Sequence, residues 1–382
     1  MDTDALTLEL DGPATSRALP IVGDRLDVQK DIVYGAAAPR SVLNSPAATG
    51  IGCWSINPYI GCAFGCAYCY ARYAHRYVME RDSAQRETPP DDEEALPPWL
   101  AFERRVLVKR DAPALLRHAL ATHPARYARL LTGEEAVVVG TATDPYQPAE
   151  RRFRVTRGVL DVLARYAGLR VVIITKSPLV VRDLDVLARV AERSRVSVHV
   201  SLITLDRPLA RRIEPRAPTP EARLRAVERI AAAGIDVGIN IMPVLPGITD
   251  RPADLIALVR RAAEAGASHV AACALRLQPA ARERYLPWIA GEFPELAQRY
   301  EATYARGWYA GDRYRAGLRE YMDRLSERFG LRVRTYDRER LTRRRRDGNA
   351  RAVQLALPFC SDDGPSITAE TQRRGAPHVE RG

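Results

Sequence analysis

The stretch Pro58-Tyr-Ile-Gly-Cys62-Ala-Phe-Gly-Cys66-Ala-Tyr68-Cys69-Tyr70 places three cysteines within eight residues. The chain has six cysteines, so half of them stand in this one loop. The N-terminus, Met1-Asp-Thr-Asp4, lacks a signal-peptide pattern. Thiols this close in such a chain point to metal ligation rather than to disulfides. Three ligands leave one position of a tetrahedral site open, and an open position is where metal chemistry takes place. One alternative closes the site as zinc held by Cys62, Cys66, Cys69 and His75. Structural zinc sites usually pair two short ligand hairpins, and the sequence holds no second Cys-x-x-Cys.

The spacing Cys-x3-Cys-x2-Cys, with Tyr68 just before the last cysteine, resembles the signature of radical S-adenosylmethionine enzymes. In that family three thiolates hold a four-iron four-sulfur (4Fe-4S) cluster, and S-adenosylmethionine chelates the fourth iron. Further motifs narrow the resemblance: Ser41-Val-Leu-Asn44, Trp54-Ser-Ile-Asn-Pro-Tyr-Ile-Gly-Cys62, Cys69-Tyr-Ala-Arg72, Thr143-Asp-Pro-Tyr-Gln-Pro148, Thr175-Lys-Ser177 and Glu214-Pro-Arg216. In this order they look like the branch related to spore photoproduct lyase, often labelled DNA-repair photolyase-like. The resemblance implies reductive cleavage of S-adenosylmethionine to a 5′-deoxyadenosyl radical that abstracts hydrogen from a substrate, with damaged DNA or another nucleic acid as the first candidate. It also implies an external electron donor of the flavodoxin or ferredoxin type. A non-catalytic iron–sulfur or zinc protein that binds nucleic acid is the competing reading.

At 382 residues and 46% hydrophobic composition the chain can bury a substantial core. No run of about 18 apolar residues exists, so no membrane span is expected and a cytoplasmic location follows. The net charge of +11 is compatible with a polyanionic partner. Only Lys30, Lys109 and Lys176 are lysines. A chain that writes arginine at every other cationic position has reason to need a compact ammonium at Lys176, and less so at Lys109.

Apolar β-branched runs alternate with helical stretches, an α/β pattern of parallel strand–helix units. Strands are expected over residues 54–60, 105–109, 136–140, 170–175, 196–204 and 236–242, with 269–275 as a further edge strand. Six such units predict a partial (β/α)6 TIM-like barrel, the architecture the resemblance also implies. The expected organisation is a flexible arm over 1–30, the radical SAM core barrel over 31–280, a helical extension over 281–337 closing its open side, and an arginine-rich, largely disordered tail over 338–382. In the tail, Gln354-Leu-Ala-Leu-Pro-Phe359 resembles the short peptide by which bacterial repair proteins bind the sliding clamp.

Active sites of parallel barrels lie at the C-terminal strand ends. Here those ends carry the three thiolates, Lys109, Thr143, Asp144, Lys176 and Ser177. Along 196–202 the valines face the helices and Ser197, His199 and Ser201 face the interior; Gly238, Asn240 and Met242 do the same one strand on. By resemblance, Lys176 meets the carboxylate of S-adenosylmethionine, Ser201 its ribose and Tyr68 its adenine. The 136–143 strand edge with Thr143 meets its amino group, and Asp144 either joins them or caps its own turn. Spore photoproduct lyases use an additional downstream cysteine as hydrogen donor. Here none lies between Cys69 and Cys273, and Cys273, in an alanine-rich run, reads as a buried small hydrophobe.

Overall fold

The computed structural model describes residues 22–49, 52–74, 76, 78 and 96–333. His75, most of the acidic loop around Asp91, the arginine cluster, Cys360 and the clamp-like peptide Gln354 to Phe359 lie outside the described residues. Val22–Gln29 (β1), expected within a flexible arm, pairs antiparallel with Ile32–Ala37 (β2). The arm therefore ends in a hairpin.

The runs rich in valine and isoleucine form the main sheet. Trp54–Ile56 (β4), Val137–Val139 (β7), Arg170–Thr175 (β8), Arg195–Ser201 (β9), Asp236–Val244 (β10) and His269–Ala274 (β11) run parallel in that spatial order. Arg332–Val333 (β12) extends one edge in parallel, and Leu43–Asn44 (β3) the other edge in antiparallel sense. Helices between the strands cover the outer face, which gives the expected partial barrel.

Two expectations about its strands are corrected. Residues 105–109 are not a barrel strand: Arg105–Val108 (β6) belongs to a separate four-stranded sheet, between β2 and Tyr59–Ile60 (β5). The sixth barrel strand is instead β11, expected only at the edge. The run 54–60 is two strands in two sheets, broken at Asn57-Pro58. Proline brings no donor to a ladder, and the Asn57 side chain turns away to Thr141 Oγ1 (3.0 Å) and the Ala142 amide (2.8 Å).

Side-chain alternation divides the strands between two cores. Val137, Val139, Val171, Ile173, Val198, Val200, Ile239 and Ile241 pack under the helices. Cys53, Val138, Val172 and Ala271 fill the lumen, with Ile174 and Met242 against them. Strand register stacks this lumen in levels: Ser55, Val138, Val172 and Ser197 lie on one, His199, Gly238 and His269 on the next, Ser201, Asn240 and Ala271 above. The rings of His199 and His269 meet edge to face at 4.8 Å. The interior histidine is thus part of the packed lumen.

The helical extension roofs the barrel. Helices Pro279–Glu292 and Pro294–Tyr304 bury Tyr285, Trp288, Tyr300 and Tyr304 in one cluster with Cys62, Phe64, Cys66 and Tyr68. Tyr300 donates to Pro246 O (2.8 Å) and Tyr304 to Leu275 O (3.0 Å), which pins this roof to the loops after β10 and β11.

Glycine at 238 is a packing requirement. A Cβ there would lie 2.1 Å from His269 Nε2, and both residues sit in filled interior. Gly238→Ala is expected to destabilise the protein by about 1–3 kcal/mol, the usual cost of overpacking. A chemical denaturation midpoint equal to wild type would show the lumen to be loosely packed.

Candidate active site

At the C-terminal mouth of the barrel lies a cavity of about 160 Å³ that opens to solvent. Cys62, Cys66, Cys69, Tyr68, Thr143, Asp144, Lys176 and Ser201 all line it. The eight residues that the sequence singled out, drawn from four separate segments, are therefore brought together. Lys109 is not among them. It follows β6 in the smaller sheet, and burial pushes its ammonium down to about 8.

The cysteine loop is stitched down on every side. Cys62 N donates to Phe102 O (2.9 Å), Ala67 N to Ile213 O (3.0 Å) and Ala63 N to Gln147 Oε1 (2.9 Å). Below it, Arg72 is 1% exposed and donates to Cys66 O (2.7 Å) and Glu103 Oε1 (2.6 Å). Gly65 has φ +63°, and a Cβ there would meet Glu103 Oε2 at 2.9 Å. This explains the glycine between the first two cysteines.

Thr143 and Asp144 line the cavity, yet their polar atoms are engaged by the protein itself. The Thr143 hydroxyl donates to Gly61 O (2.6 Å) and accepts from Gln147 Nε2 (2.9 Å). Asp144 accepts from Thr175 Oγ1 (2.7 Å), the Lys176 amide (2.7 Å) and the Tyr146 amide (2.9 Å). It thus caps its own turn and also fixes the end of β8. Burial raises its pKa, while these donors pull it back.

Glu214 stands in the Glu214-Pro-Arg216 motif, and the sequence assigns it no role. The structure buries it at 1% exposure as the hub of a charged group. Tyr68 donates its hydroxyl to Oε1, Arg223 donates to Oε2, and Lys176 Nζ lies 3.9 Å from Oε1 and 5.6 Å from the Tyr68 ring centre. Burial would raise the Glu214 carboxyl, but Arg223 and Lys176 hold it below its ordinary value. Burial opposes the charge on Lys176, and Cys66 and Glu214 hold its pKa up. Arg223 also donates to Ser201 O (3.0 Å), so one carboxylate indirectly places Ser201 as well. No local sequence signal marks a loop glutamate as buried.

Cys273 also departs from its expected place. It is partly exposed and lines the cavity rather than packing as a small core residue. At the C-terminal end of β11 it occupies the next inward position after Ala271.

A 4Fe-4S cluster with a bound sulfonium ligand fits the residues present. The three loop cysteines are free of disulfides. Burial pushes Cys62 up to about 12 and raises Cys66 and Cys69, so a cation must displace their protons for them to ligate. Among the described residues no three His, Cys, Asp or Glu side chains form a group able to hold a single ion. A polynuclear cluster takes one thiolate per iron and does not require convergence on one point. The same cavity carries an ammonium, a hydroxyl and the Asn240 amide, whose Oδ1 is buried without a hydrogen-bond partner.

The radical SAM superfamily model matches residues 56–259. An uncharacterized protein of Mycobacterium tuberculosis is 37% identical over 302 residues, spanning 78% of this chain and 82% of its own length. An uncharacterized protein of Methanocaldococcus jannaschii is 28% identical over 195 residues, 51% of this chain and 61% of its own. Among solved structures, a spore photoproduct lyase variant aligns with TM-score 0.52 at 16% identity, covering 76% of this chain and 78% of that one. A spore photoproduct lyase complexed with dinucleoside spore photoproduct gives the same score over 78% and 79%. At this identity the likeness shows a shared fold.

The Glu214 hub makes a pH-dependent prediction. Its folded pKa lies below the ordinary 4.5, so its stabilisation is complete above that value and is lost as pH falls through the folded pKa. Glu214→Gln leaves Arg223 buried without its counter-charge and is expected to cost about 3 kcal/mol at neutral pH. In denaturation curves the gap between wild type and variant should narrow as pH drops below 4.5. A gap that widens in acid would contradict this electrostatic reading.

Proposed function

This chain belongs to the radical S-adenosylmethionine superfamily, and on that footing we propose that Cys62, Cys66 and Cys69 hold its 4Fe-4S cluster and that the adjoining cavity seats S-adenosylmethionine for hydrogen abstraction from a nucleic-acid substrate. The chain is an enzyme of that class. Bound there, the two groups supply a 5′-deoxyadenosyl radical. The observation that carries the assignment is the convergence of the three thiols, Lys176 and Ser201 on one cavity.

The chain's own residues have separable tasks. Lys176 offers an ammonium to the carboxylate of S-adenosylmethionine; the 3.9 Å gap to Glu214 is loose enough to be exchanged for a closer partner. Ser201 offers a hydroxyl to a ribose diol, and the Tyr68 ring a face to the adenine. Thr143 and Asp144 are positioning residues, the first for the cysteine loop and the second for Lys176. The aromatic roof of Tyr285, Trp288, Tyr300 and Tyr304 keeps water from the cluster side of the cavity. An external reductant of the flavodoxin or ferredoxin type supplies the electron, as the family requires.

Nucleic acid is the substrate class favoured by the +11 charge, and the structural neighbour of the same fold holds a dinucleoside photoproduct. The clamp-binding role of Gln354 to Phe359 is part of the same proposal: Leu357→Ala with Phe359→Ala should abolish clamp pull-down. The lyase reaction itself is not carried over, because the likeness to the lyase structures, at 16% identity, is one of fold alone. Among the described residues no helix is long and apolar enough to cross a membrane.

Anaerobic reconstitution tests the assignment. The dithionite-reduced protein should form 5′-deoxyadenosine from S-adenosylmethionine, and Cys66→Ala should lose both iron and product. Lys176→Ala should keep the iron and weaken S-adenosylmethionine binding about tenfold or more, the scale of a charge-assisted hydrogen bond. Stoichiometric zinc with no 5′-deoxyadenosine, or unchanged affinity in Lys176→Ala, would overturn it.

A further inference from the structure

Arg276 stands beyond the end of β11 and lines the same cavity. Most other arginines near the site have carboxylate partners: Arg72 has Glu103, Arg223 has Glu214, and Arg216 has Glu103 and Asp31. Arg276 has no ion pair among the described residues, and its buried Nε has no hydrogen-bond partner. Two rings hold its guanidinium instead, with Cζ 5.3 Å from the Trp308 ring centre and 5.1 Å from that of Tyr309. The backbone fixes this arrangement, since Arg276 bridges to Tyr309 and Leu277 N donates to Trp308 O (2.8 Å). An arginine held over aromatic faces, with no carboxylate to neutralise it, keeps its planar fork ready for an oxyanion.

The neighbouring surface is aromatic as well. Tyr73 is 43% exposed and stacks on Tyr70 at 6.4 Å with an interplanar angle of 28°. Tyr70 lines the same cavity as Arg276, so the stacked Tyr73 ring lies beside that cavity. Asn240 lines the cavity with an acceptor that no protein donor satisfies, though the residue is only 3% exposed.

We infer that Arg276, clamped by Trp308 and Tyr309, forms with Tyr73 and Asn240 a nucleotide subsite that takes an unstacked residue of a single strand. The inference rests on the nucleic-acid reading and deepens it. The guanidinium holds one phosphodiester, the Tyr73 face carries a base, and Asn240 Oδ1 accepts from an exocyclic amine. A charged fork beside sequence-tolerant stacking faces is the general recipe for single-strand binding. A base inside a duplex cannot enter a cavity at the mouth of a barrel; it must leave the stack.

Fluorescence anisotropy with a labelled single-stranded oligodeoxynucleotide of about 12 residues tests the subsite. Arg276→Gln, which keeps much of the side-chain length, should weaken binding about tenfold and reduce the slope of log K against log salt by about 0.7, the share of one phosphate on a single strand. Arg276→Lys should retain the slope. Tyr73→Ala should weaken binding about tenfold with the slope unchanged. If wild type binds and all three variants bind equally well, the subsite is wrong while the nucleic-acid reading stands. If wild type binds no oligonucleotide, that reading falls and the subsite with it. If Arg276→Gln leaves oligonucleotide binding intact but loses S-adenosylmethionine in calorimetry, the guanidinium serves the cofactor and the inference is overturned.

Discussion

The loop from Thr141 to Pro148 bonds in two directions at once, and the geometry of the cavity depends on it. Toward the cysteines, Thr143 and Gln147 both reach Gly61 O, and Gln147 Oε1 takes the Ala63 amide. Toward the barrel, Asp144 takes the Thr175 hydroxyl and the Lys176 amide. The cysteine loop and the lysine-bearing strand end come from segments more than a hundred residues apart in the chain. One short loop sets their separation. Gly140, at φ +96°, starts it where a Cβ would lie 2.5 Å from Pro145 Cδ and 2.6 Å from Ile174 O. Backbone and side chain are thus both constrained at this junction.

The second organising principle is buried charge that is satisfied before any ligand arrives. Glu214, Arg223, Glu103 and Arg72 are all at or below 5% exposure, and each is ion-paired within the group. Burial makes an unpaired charge costly, so these groups fix geometry rather than wait for a ligand. Against that background the cavity groups with spare hydrogen-bonding capacity stand out: Lys176, loosely held, and Arg276 and Asn240, with unpartnered atoms. The site separates into a rigid frame and a few groups free to bind.

Much of this was legible in the sequence, because it was written in local patterns. Cysteine spacing marked a loop that the fold places at the cavity, and the two-residue period of Ser197, His199 and Ser201 marked an inward face. What failed was whatever depends on distant partners. The 105–109 run is apolar and β-branched like the barrel strands, but its neighbours Val33 and Ile60 draw β6 into another sheet. The 54–60 run reads as one strand until Asn57 finds Thr141, 84 residues away. Burial of Glu214 and exposure of Cys273 to the cavity follow from packing of the loops and roof, for which a single sequence carries no period or spacing. Thr143 is legible from its place at a strand end, while its bond to Gly61 O joins residues 82 positions apart and leaves no local trace.

The central claim is that the three cysteines and the Lys176 side of the cavity form one site, cluster and sulfonium ligand together. Low-temperature electron paramagnetic resonance of the reduced, reconstituted protein, recorded before and after adding S-adenosylmethionine, tests it most directly. The expected result is a reduced-cluster signal whose g values shift on addition, with the shift lost in Lys176→Ala at the same ligand concentration. A cluster signal indifferent to S-adenosylmethionine at saturating concentration would contradict it.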